Sequence, residues 1–452
     1  MKLYRFNGLL LEEGWIQPCF VGVDDAGVVT YLSENPPIDS QDAELVKGLA
    51  VPGFQNAHSH AFQYAMAGLA EVHHSQQRDD FWTWREAMYR CALAMDPDEM
   101  EAIAAMLYAE MLRNGYTHVA EFHYLHNDKD GRHYANYSEM GQRLIAAAVT
   151  AGIKITLIPV FYQKGNFGHE AHLQQRRFIC TNLDEYFHLL DDTAGIVSQY
   201  AGVNLGFGVH SLRAVDHHNV IATFQGGPAN LPFHLHAAEQ LKEVEDCTAY
   251  LERRPVQWLL ENLPVDERFH VVHCTHMNDQ EVIGLAASGA HVVLCPGTEG
   301  NLGDGIFRLA DFNRYGGKWS LGTDSHISLN PLEDLRWLDY GQRLASHNRG
   351  TFSDGALALY SKTLASGRSA MGNEIRQFFT VGQPFDAIVY DAQYPLLMRD
   401  DFSGWLSSIL YTADSSVVLG TLVNGKWVVK QGHHFRREEI ARRYQSAIKA
   451  IG

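Results

Sequence analysis

The sequence contains the stretch Val51-Pro52-Gly53-Phe54-Gln55-Asn56-Ala57-His58-Ser59-His60, an apolar run that ends in two histidines separated by one residue. Side chains alternate between the two faces of an extended strand, so His58 and His60 project to the same side and can bind one metal ion. A single pair of this kind is weak support in a chain that has 24 histidines. Its interpretation depends on the residues that end the later strands.

Seven more apolar runs follow this stretch, and each predicts a strand. They cover residues 116–122, 154–162, 204–211, 232–239, 269–276, 291–297 and 319–325. The segments between them have mostly helical patterns. One helix is predicted to begin at Asp96-Pro97-Asp98-Glu99, with Asp96 as N-cap, and Gly115 is predicted to end it.

Eight strands that alternate with helices predict a parallel (β/α)8 barrel of the TIM type over residues 49–380, with its functional groups at the carboxyl ends of the strands. Residues 1–48 and 381–452 are rich in strand patterns and include an Asn424-Gly425 hairpin signal. The two termini are therefore predicted to form one small β-sandwich domain. A doubly wound open sheet is the alternative, but no GxGxxG or phosphate-loop motif supports it.

Composition restricts the classes of function. The 452 residues include 36 basic and 53 acidic ones, a formal net charge of −17, so we expect neither nucleic acid nor an anionic membrane surface as a partner. Six dispersed cysteines without a CxxC pair suit reduced thiols. The N-terminus lacks the pattern of a signal peptide, and no uncharged apolar run reaches the length of a membrane span. We therefore expect a cytoplasmic protein.

Residues that can bind a metal or transfer a proton lie on four of the predicted strands. The first ends in His58 and His60, and the fifth ends in His234-Leu235-His236-Ala237-Ala238-Glu239. The sixth contains His273, and the eighth ends in Gly322-Thr323-Asp324. If these groups served packing alone, each would be a buried polar group that needs its own partner. Their common position at one rim of the barrel predicts a metal site.

This pattern resembles the amidohydrolase superfamily, in particular its mononuclear deaminase branch, and the similarity covers residues 50–340. The strand-rich termini also resemble the composite sheet domain of that branch. In dinuclear branches a lysine on the fourth strand is carboxylated and bridges two metals. Here that strand ends in Gly208-Val209-His210-Ser211 without a lysine, which favours one metal ion. Enzymes of this branch are commonly dimers, so we expect a homodimer.

The resemblance implies a metal site of three imidazoles and one carboxylate, which are those of His58, His60, His236 and Asp324. His234 competes with His236, but only His236 is followed three residues later by a glutamate. Such ligands suit Zn²⁺, with Fe²⁺ as the alternative. A bound zinc ion lowers the pKa of a water molecule to about 7. Asp324 and His273 are expected to take its proton and to stabilise developing charge, and Glu239 is expected to protonate the leaving nitrogen.

A narrower resemblance is carried by four segments: His58-Ser59-His60-Ala61-Phe62-Gln63, Phe81-Trp82-Thr83-Trp84-Arg85, Glu121-Phe122-His123-Tyr124 and Val209-His210-Ser211-Leu212-Arg213. These segments resemble the deiminases that convert N-formimidoyl-L-glutamate and water to N-formyl-L-glutamate and ammonia in histidine degradation. A deaminase of a nucleobase or nucleoside, acting on guanine, cytosine or an adenosine derivative, is the alternative. A barrel that serves only as an interaction protein is a third interpretation, and the complete ligand set argues against it.

A glutamyl substrate is a small dianion, and the net negative charge of the protein would repel it unless guanidinium groups bind its carboxylates at close range. The candidates for this role are Arg85 and Arg213. Gln63 and Tyr124 are expected to add neutral hydrogen bonds, and His210 to hold a carboxylate or polarise the formimino nitrogen. Residues 71–90, which are polar and rich in aromatic side chains, are predicted to form a lid.

Overall fold

The computed structural model describes residues 1–38, 40–69, 81–352, 355–398 and 402–451. Five strands precede the barrel, namely β1 (Lys2–Leu11), β2 (Gly14–Ile16), β3 (Cys19–Val23), β4 (Val29–Ser33) and β5 (Glu44–Pro52). β1 pairs antiparallel with β2 and β3 and parallel with β5. Only Gly53 separates β5 from the strand that follows, so this sheet passes into the barrel without a linker.

The second sheet contains β6 (Phe54–Ser59), β7 (Tyr116–His123), β8 (Lys154–Phe161), β9 (Val203–Leu205), β10 (Phe207–Ser211), β11 (Phe233–Ala237), β12 (Phe269–His273), β13 (His291–Leu294) and β14 (Lys318–Leu321). Short β9 pairs with β8, and the other eight strands are ordered around the sheet as they are in the chain. All neighbouring pairs are parallel. A parallel bridge between Ser59 and Asp324 brings the ends of β6 and β14 together. The predicted (β/α)8 barrel is therefore confirmed in place of a doubly wound open sheet.

The helices of the described residues are α1 (Phe81–Ala94), α2 (Pro97–Arg113), α3 (Glu139–Ala151), α4 (Leu183–Val197), α5 (His217–Gly226), α6 (Leu241–Leu251), α7 (Pro255–Asn262), α8 (Asp279–Ser288), α9 (Pro296–Leu302), α10 (Leu309–Arg314), α11 (Pro331–Ser346), α12 (Gly355–Ala370), α13 (Trp405–Thr412) and α14 (Arg437–Ile451). α2 begins as predicted, because the backbone N–H of Asp96 donates to Glu99 Oε2 at 2.6 Å. It ends just before Gly115, whose φ of 91° favours glycine. No described helix has the length and apolar character needed to cross a membrane.

Four strands near the C-terminus complete the first sheet, namely β15 (Ala387–Asp391), β16 (Val418–Val423), β17 (Lys426–Lys430) and β18 (His433–His434). β15 pairs antiparallel with β5, so residues from the two ends of the chain form one sheet. Asn424 and Gly425 connect β16 to β17 with φ values of 47° and 64°, as the predicted hairpin requires. The expectation that the two termini together build one sheet beside the barrel is confirmed, and its finer form, a β-sandwich, stays a prediction.

Three stacked histidines lie toward the amino-terminal ends of the barrel strands. His234, His270 and His291 occupy paired positions on β11, β12 and β13, and each adjoining pair of rings has its centroids 4.8 Å apart. Nε2 of His234 donates to the carbonyl of Ala370 at 3.1 Å. His234 therefore belongs to this internal stack, whereas His236, two residues later, reaches the opposite rim.

Candidate metal centre and substrate pocket

Three imidazoles meet where β6 and β11 end. Nε2 of His58 lies 3.0 Å from Nε2 of His60 and 3.0 Å from Nε2 of His236. Asp324, just beyond β14, places Oδ1 3.2 Å from Nε2 of His60 and 3.6 Å from Nε2 of His58. All four side chains are buried. The structure thus brings together the four residues that the sequence suggested as ligands.

Hydrogen bonds behind the rings define their tautomers. Nδ1 of His60 donates to the carbonyl of Phe122, and Nδ1 of His236 donates to the carbonyl of His210, each at 2.9 Å. With their protons on Nδ1, neutral His60 and His236 each direct an Nε2 lone pair toward Nε2 of His58. A single proton on His58 Nε2 can be donated to only one of these two lone pairs, which leaves the other without a donor. Burial and the neighbouring His60 lower the pKa of His58 to about 3, so the His58 ring does not gain a second proton near neutral pH and cannot supply the missing donor. The donor set therefore fits a divalent metal ion.

Close packing between the first and last strands of the barrel sets the position of Asp324. The backbone N–H groups of Thr323 and Asp324 donate to the carbonyl of His58 at 3.0 and 3.1 Å. A Cβ atom on Gly322 would lie 2.6 Å from Cβ of His58, so the approach depends on glycine. Asp324 itself has a φ of 48°, an uncommon conformation for a residue other than glycine. The backbone is thus shaped to bring this carboxylate to the imidazoles.

His273 lies among three carboxylates at the same rim. Its Nε2 lies 3.7 Å from Oε1 of Glu239 and 3.8 Å from Oδ2 of Asp324, and its Nδ1 lies 3.3 Å from Oε1 of Glu299. Burial disfavours protonation of this ring, but the three carboxylates outweigh that effect and raise its pKa to about 10. Burial also raises the pKa of Glu239, against the opposing effects of His273 and Arg213. A buried carboxyl group with a raised pKa beside a histidine is suited to proton transfer.

The five residues predicted to bind substrate line one pocket next to the imidazole cluster; they are Gln63, Arg85, Tyr124, His210 and Arg213. Nε2 of Gln63 donates to the hydroxyl of Tyr124 at 3.0 Å. The ring of His210 lies 4.8 Å from that of His236, measured between centroids. Arg85 projects from α1, and its Nη2 donates to the hydroxyl of Tyr162 at 3.5 Å. The pocket thus combines cationic, aromatic and neutral polar groups with the cluster.

Sequence reasoning missed several residues around this pocket. Tyr162, Met88 and Leu302 line it, and Glu299 lies behind His273. Tyr162 directly follows β8 and Glu299 comes shortly after β13, so the position of functional groups after barrel strands could have identified both. Met88 and Leu302 have no signal that distinguishes them from core residues. Residues 71–80 of the predicted lid lie outside the described residues.

Residues 49–428 match the model of the amidohydrolase family. Curated relatives also match most of the chain, among them the following two. The formimidoylglutamate deiminase of Pseudomonas aeruginosa is 44% identical over 441 residues, which cover 96% of this chain and 96% of that protein. A 5-methylthioadenosine/S-adenosylhomocysteine deaminase of Haloarcula marismortui is 24% identical over 91% of this chain and 86% of its own length.

Solved structures share the fold. An amidohydrolase from Brucella melitensis has a TM-score of 0.92 at 37% identity and covers 100% of both chains. An adenosine deaminase from Xanthomonas campestris with bound zinc has a TM-score of 0.81 at 19% identity, over 99% of this chain and 98% of its own, which supports the fold alone. The chain belongs to the amidohydrolase family and is a hydrolase of C–N bonds with a site for a divalent metal ion.

Proposed function

We propose that this protein is a metal-dependent deiminase that converts N-formimidoyl-L-glutamate and water to N-formyl-L-glutamate and ammonia, a step of histidine degradation. Water adds to the formimino carbon, the bond from that carbon to the terminal nitrogen breaks, and a carbonyl group remains. The observation that carries the proposal is that Arg85 and Arg213 line the same pocket as His60, His236 and Asp324. Two guanidinium groups beside a hydrolytic centre suit a substrate with two carboxylates. The 44% identity to the Pseudomonas aeruginosa deiminase supports the same substrate.

The metal ligands in this proposal are His58, His60, His236 and Asp324, whose donor atoms converge. Zinc is the proposed ion, with ferrous iron as the alternative, because three neutral imidazoles and one carboxylate suit both. Bound at this position, zinc would lower the pKa of a water molecule to about 7 and so supply a nucleophile near neutral pH. The hydrogen bonds from Nδ1 of His60 and His236 to backbone carbonyls keep these two rings oriented.

Three side chains are proposed to take part in proton transfer and charge stabilisation. Asp324 accepts the proton of the attacking water. His273, whose pKa of about 10 keeps its ring protonated near neutral pH, stabilises the charge that develops on the tetrahedral intermediate. Glu239, 3.7 Å from Nε2 of His273, delivers a proton to the leaving nitrogen. Its raised pKa supports this role, because the carboxyl group then retains a proton at a pH where an exposed glutamate would have lost it.

The substrate carboxylates are proposed to bind Arg85 and Arg213, which reach the pocket from α1 and from the segment after β10. Gln63 and Tyr124, already hydrogen-bonded to each other, add neutral contacts. His210 holds a carboxylate or polarises the formimino nitrogen. In this proposal the reactive carbon lies near the imidazole cluster and the glutamyl portion lies toward the guanidinium groups.

A deaminase of a nucleobase or nucleoside is the alternative, and one feature of the pocket favours it. Trp84, Tyr124 and Tyr162 all line the pocket, and their rings offer surfaces on which a planar base can stack. The relative from Haloarcula marismortui is named for deamination of adenosine derivatives, but it is only 24% identical to this chain. The two arginines favour the dianionic substrate over an uncharged base.

Turnover assays separate the two functions. Purified protein is expected to release ammonia and N-formylglutamate from N-formimidoyl-L-glutamate, to lose this activity after chelation, and to regain it with zinc or ferrous iron. Guanine, cytosine and adenosine derivatives, assayed in parallel, should release little ammonia. Faster release from one of them would transfer the assignment to the alternative, and activity that persists after complete metal removal would refute the metal-dependent reaction.

We also propose that the protein forms a homodimer and acts in the cytoplasm. All six cysteines are free, as expected for a reducing compartment. Light scattering of the purified protein would measure the mass of the particle, for which the homodimer predicts twice the 50.7 kDa of the chain.

A further inference from the structure

Glu121 lies at the end of β7, close to the imidazole cluster, and is only 1% exposed. Its Oε1 accepts a hydrogen bond from the backbone N–H of Ala61 at 2.6 Å. Its Oε2 accepts from the hydroxyl of Ser59 at 2.7 Å and from the hydroxyl of Tyr108 at 3.0 Å. Ser59 and Ala61 are the two residues that flank His60, so one carboxylate holds the chain on both sides of a metal-site imidazole.

A second buried side chain holds the residue between them. The backbone N–H of His60 donates to Nε2 of His326 at 3.3 Å. The other ring nitrogen of His326, Nδ1, lies 2.9 Å from Oγ1 of Thr323, the residue that precedes Asp324. Residues 59, 60 and 61 are therefore each held by a side chain from another barrel strand or the loop that follows it. These contacts link the His60 segment to β7 and to the end of β14.

The carboxylate of Glu121 is distinct from the groups proposed to act on substrate. It does not line the substrate pocket, and its oxygens bind the flanking groups rather than the Nε2 cluster. A buried carboxyl group is costly to maintain unless hydrogen bonds satisfy it, and here three donors do so. Two of these donors, from Ser59 and Ala61, belong to the segment that contains His60. The third is the hydroxyl of Tyr108 on α2.

We infer that Glu121 is a positioning residue that clamps residues 59–61 and thereby sets the affinity of the site for its metal ion, without contacting the metal or the substrate. This inference rests on the metal site of the proposed function. Loss of the clamp lets the backbone at His60 relax, so that Nε2 of His60 no longer points toward Nε2 of His58. Partners that orient metal ligands typically change metal affinity about 10- to 100-fold when they are removed.

Two substitutions of Glu121 and one control test the clamp. Glu121→Ala removes all three accepted hydrogen bonds and should weaken zinc binding about 10- to 100-fold. Glu121→Gln should show an intermediate loss, because its amide oxygen can still accept from Ala61 and its amide nitrogen can donate to the Ser59 oxygen. Tyr108→Phe is the matched control, since it removes the third hydrogen bond and leaves both flanking ones. Its zinc affinity should remain within about twofold of wild type, because such a bond contributes mainly to stability.

Zinc dissociation constants are measured by competition with a chromophoric chelator, and urea unfolding of the metal-free proteins reports stability. At saturating zinc, Glu121→Ala should lower kcat more than it changes KM, because the substrate-binding residues are untouched. If Glu121→Ala does not fold, Ser59→Ala removes one arm of the clamp, and we expect about a 3- to 10-fold loss of affinity for this milder change. Wild-type zinc affinity in both Glu121→Gln and Ser59→Ala would overturn the inference, even if stability falls.

The zinc measurement needs no substrate, so the two proposals fail separately. A wild-type protein that binds zinc tightly but does not turn over N-formimidoyl-L-glutamate would refute the proposed function. The zinc affinities of the variants would still decide whether Glu121 is the clamp.

Discussion

Replacing Arg213 by methionine tests the substrate assignment most directly. Arg213 lies just beyond β10, is 6% exposed and lines the pocket beside the imidazole cluster. Methionine fills a similar length with an apolar chain but cannot bind a carboxylate. The change should therefore damage recognition of the glutamyl portion and leave the donor atoms of the metal site in place.

The expected size of the effect follows from the burial of this guanidinium group. A hydrogen bond to a charged group contributes about 1.5–3 kcal/mol, and a guanidinium fork can make two of them to one carboxylate. Burial places the pair toward the upper part of that range, because water competes less for its members. A total loss of about 3–6 kcal/mol corresponds to a decrease of about 10²- to 10⁴-fold in kcat/KM.

The assay compares kcat/KM for N-formimidoyl-L-glutamate with the zinc content of the same preparations. Arg213→Lys should recover part of the activity, since it keeps the charge but not the fork. Arg253→Met is a matched control, because Arg253 pairs with Glu261 at the surface at 2.7 Å. If Arg213→Met retains wild-type kcat/KM, or loses zinc in proportion to activity, the assignment of this residue to substrate binding is wrong.

Three further outcomes are expected. Glu239→Gln should lower kcat about 10²- to 10⁴-fold while zinc content stays constant, and an unchanged kcat would remove Glu239 as the proton donor. Gly322→Ala should destabilise the protein by about 1–3 kcal/mol in urea unfolding and weaken zinc binding, because its methyl group would lie 2.6 Å from Cβ of His58. Burial holds the pKa of His270 well below its usual value. As the pH falls below about 6.5, this histidine binds a proton in the unfolded chain but not in the folded protein, so the free energy of unfolding decreases. His270→Phe should reduce the slope of the free energy of unfolding against pH in this acidic range, by at most about 1.4 kcal/mol per pH unit. An unchanged slope would contradict the argument.

Much of the fold and of the candidate site could be predicted because parallel strands place their carboxyl ends at one rim. His58 and His60 were assigned to one face from the period of a strand, and Asp324 was connected to them only through the rule that barrel strands meet in space. The structure brings these donors within hydrogen-bonding distances of one another. The strand pattern could not choose between His234 and His236, since both lie on one face of β11. That choice required the glutamate that follows His236.

The contacts that were missed depend on distances across the fold rather than on spacing in the chain. Glu121 was noted only as part of a strand end, and nothing local indicates that its carboxylate reaches Ser59 and Ala61. Glu299 of α9 likewise contacts His273 at the end of β12, although the two residues lie far apart in the chain. Met88 and Leu302 belong to helices, where an apolar residue that faces a pocket has the same pattern as one that faces the core.

The pairing of β5 with β15 also has consequences while the protein is being made. β5 leads directly into the strand that ends at His58 and Ser59, yet its partner on one side is synthesised near the end of translation. The edge of β5 that pairs with β15 therefore stays unpaired in the nascent chain until β15 has been synthesised. Unpaired strand edges promote association with other chains. Truncations that stop before β15 should accumulate as aggregates rather than as isolated barrels, so complete synthesis is a condition for a stable catalytic rim.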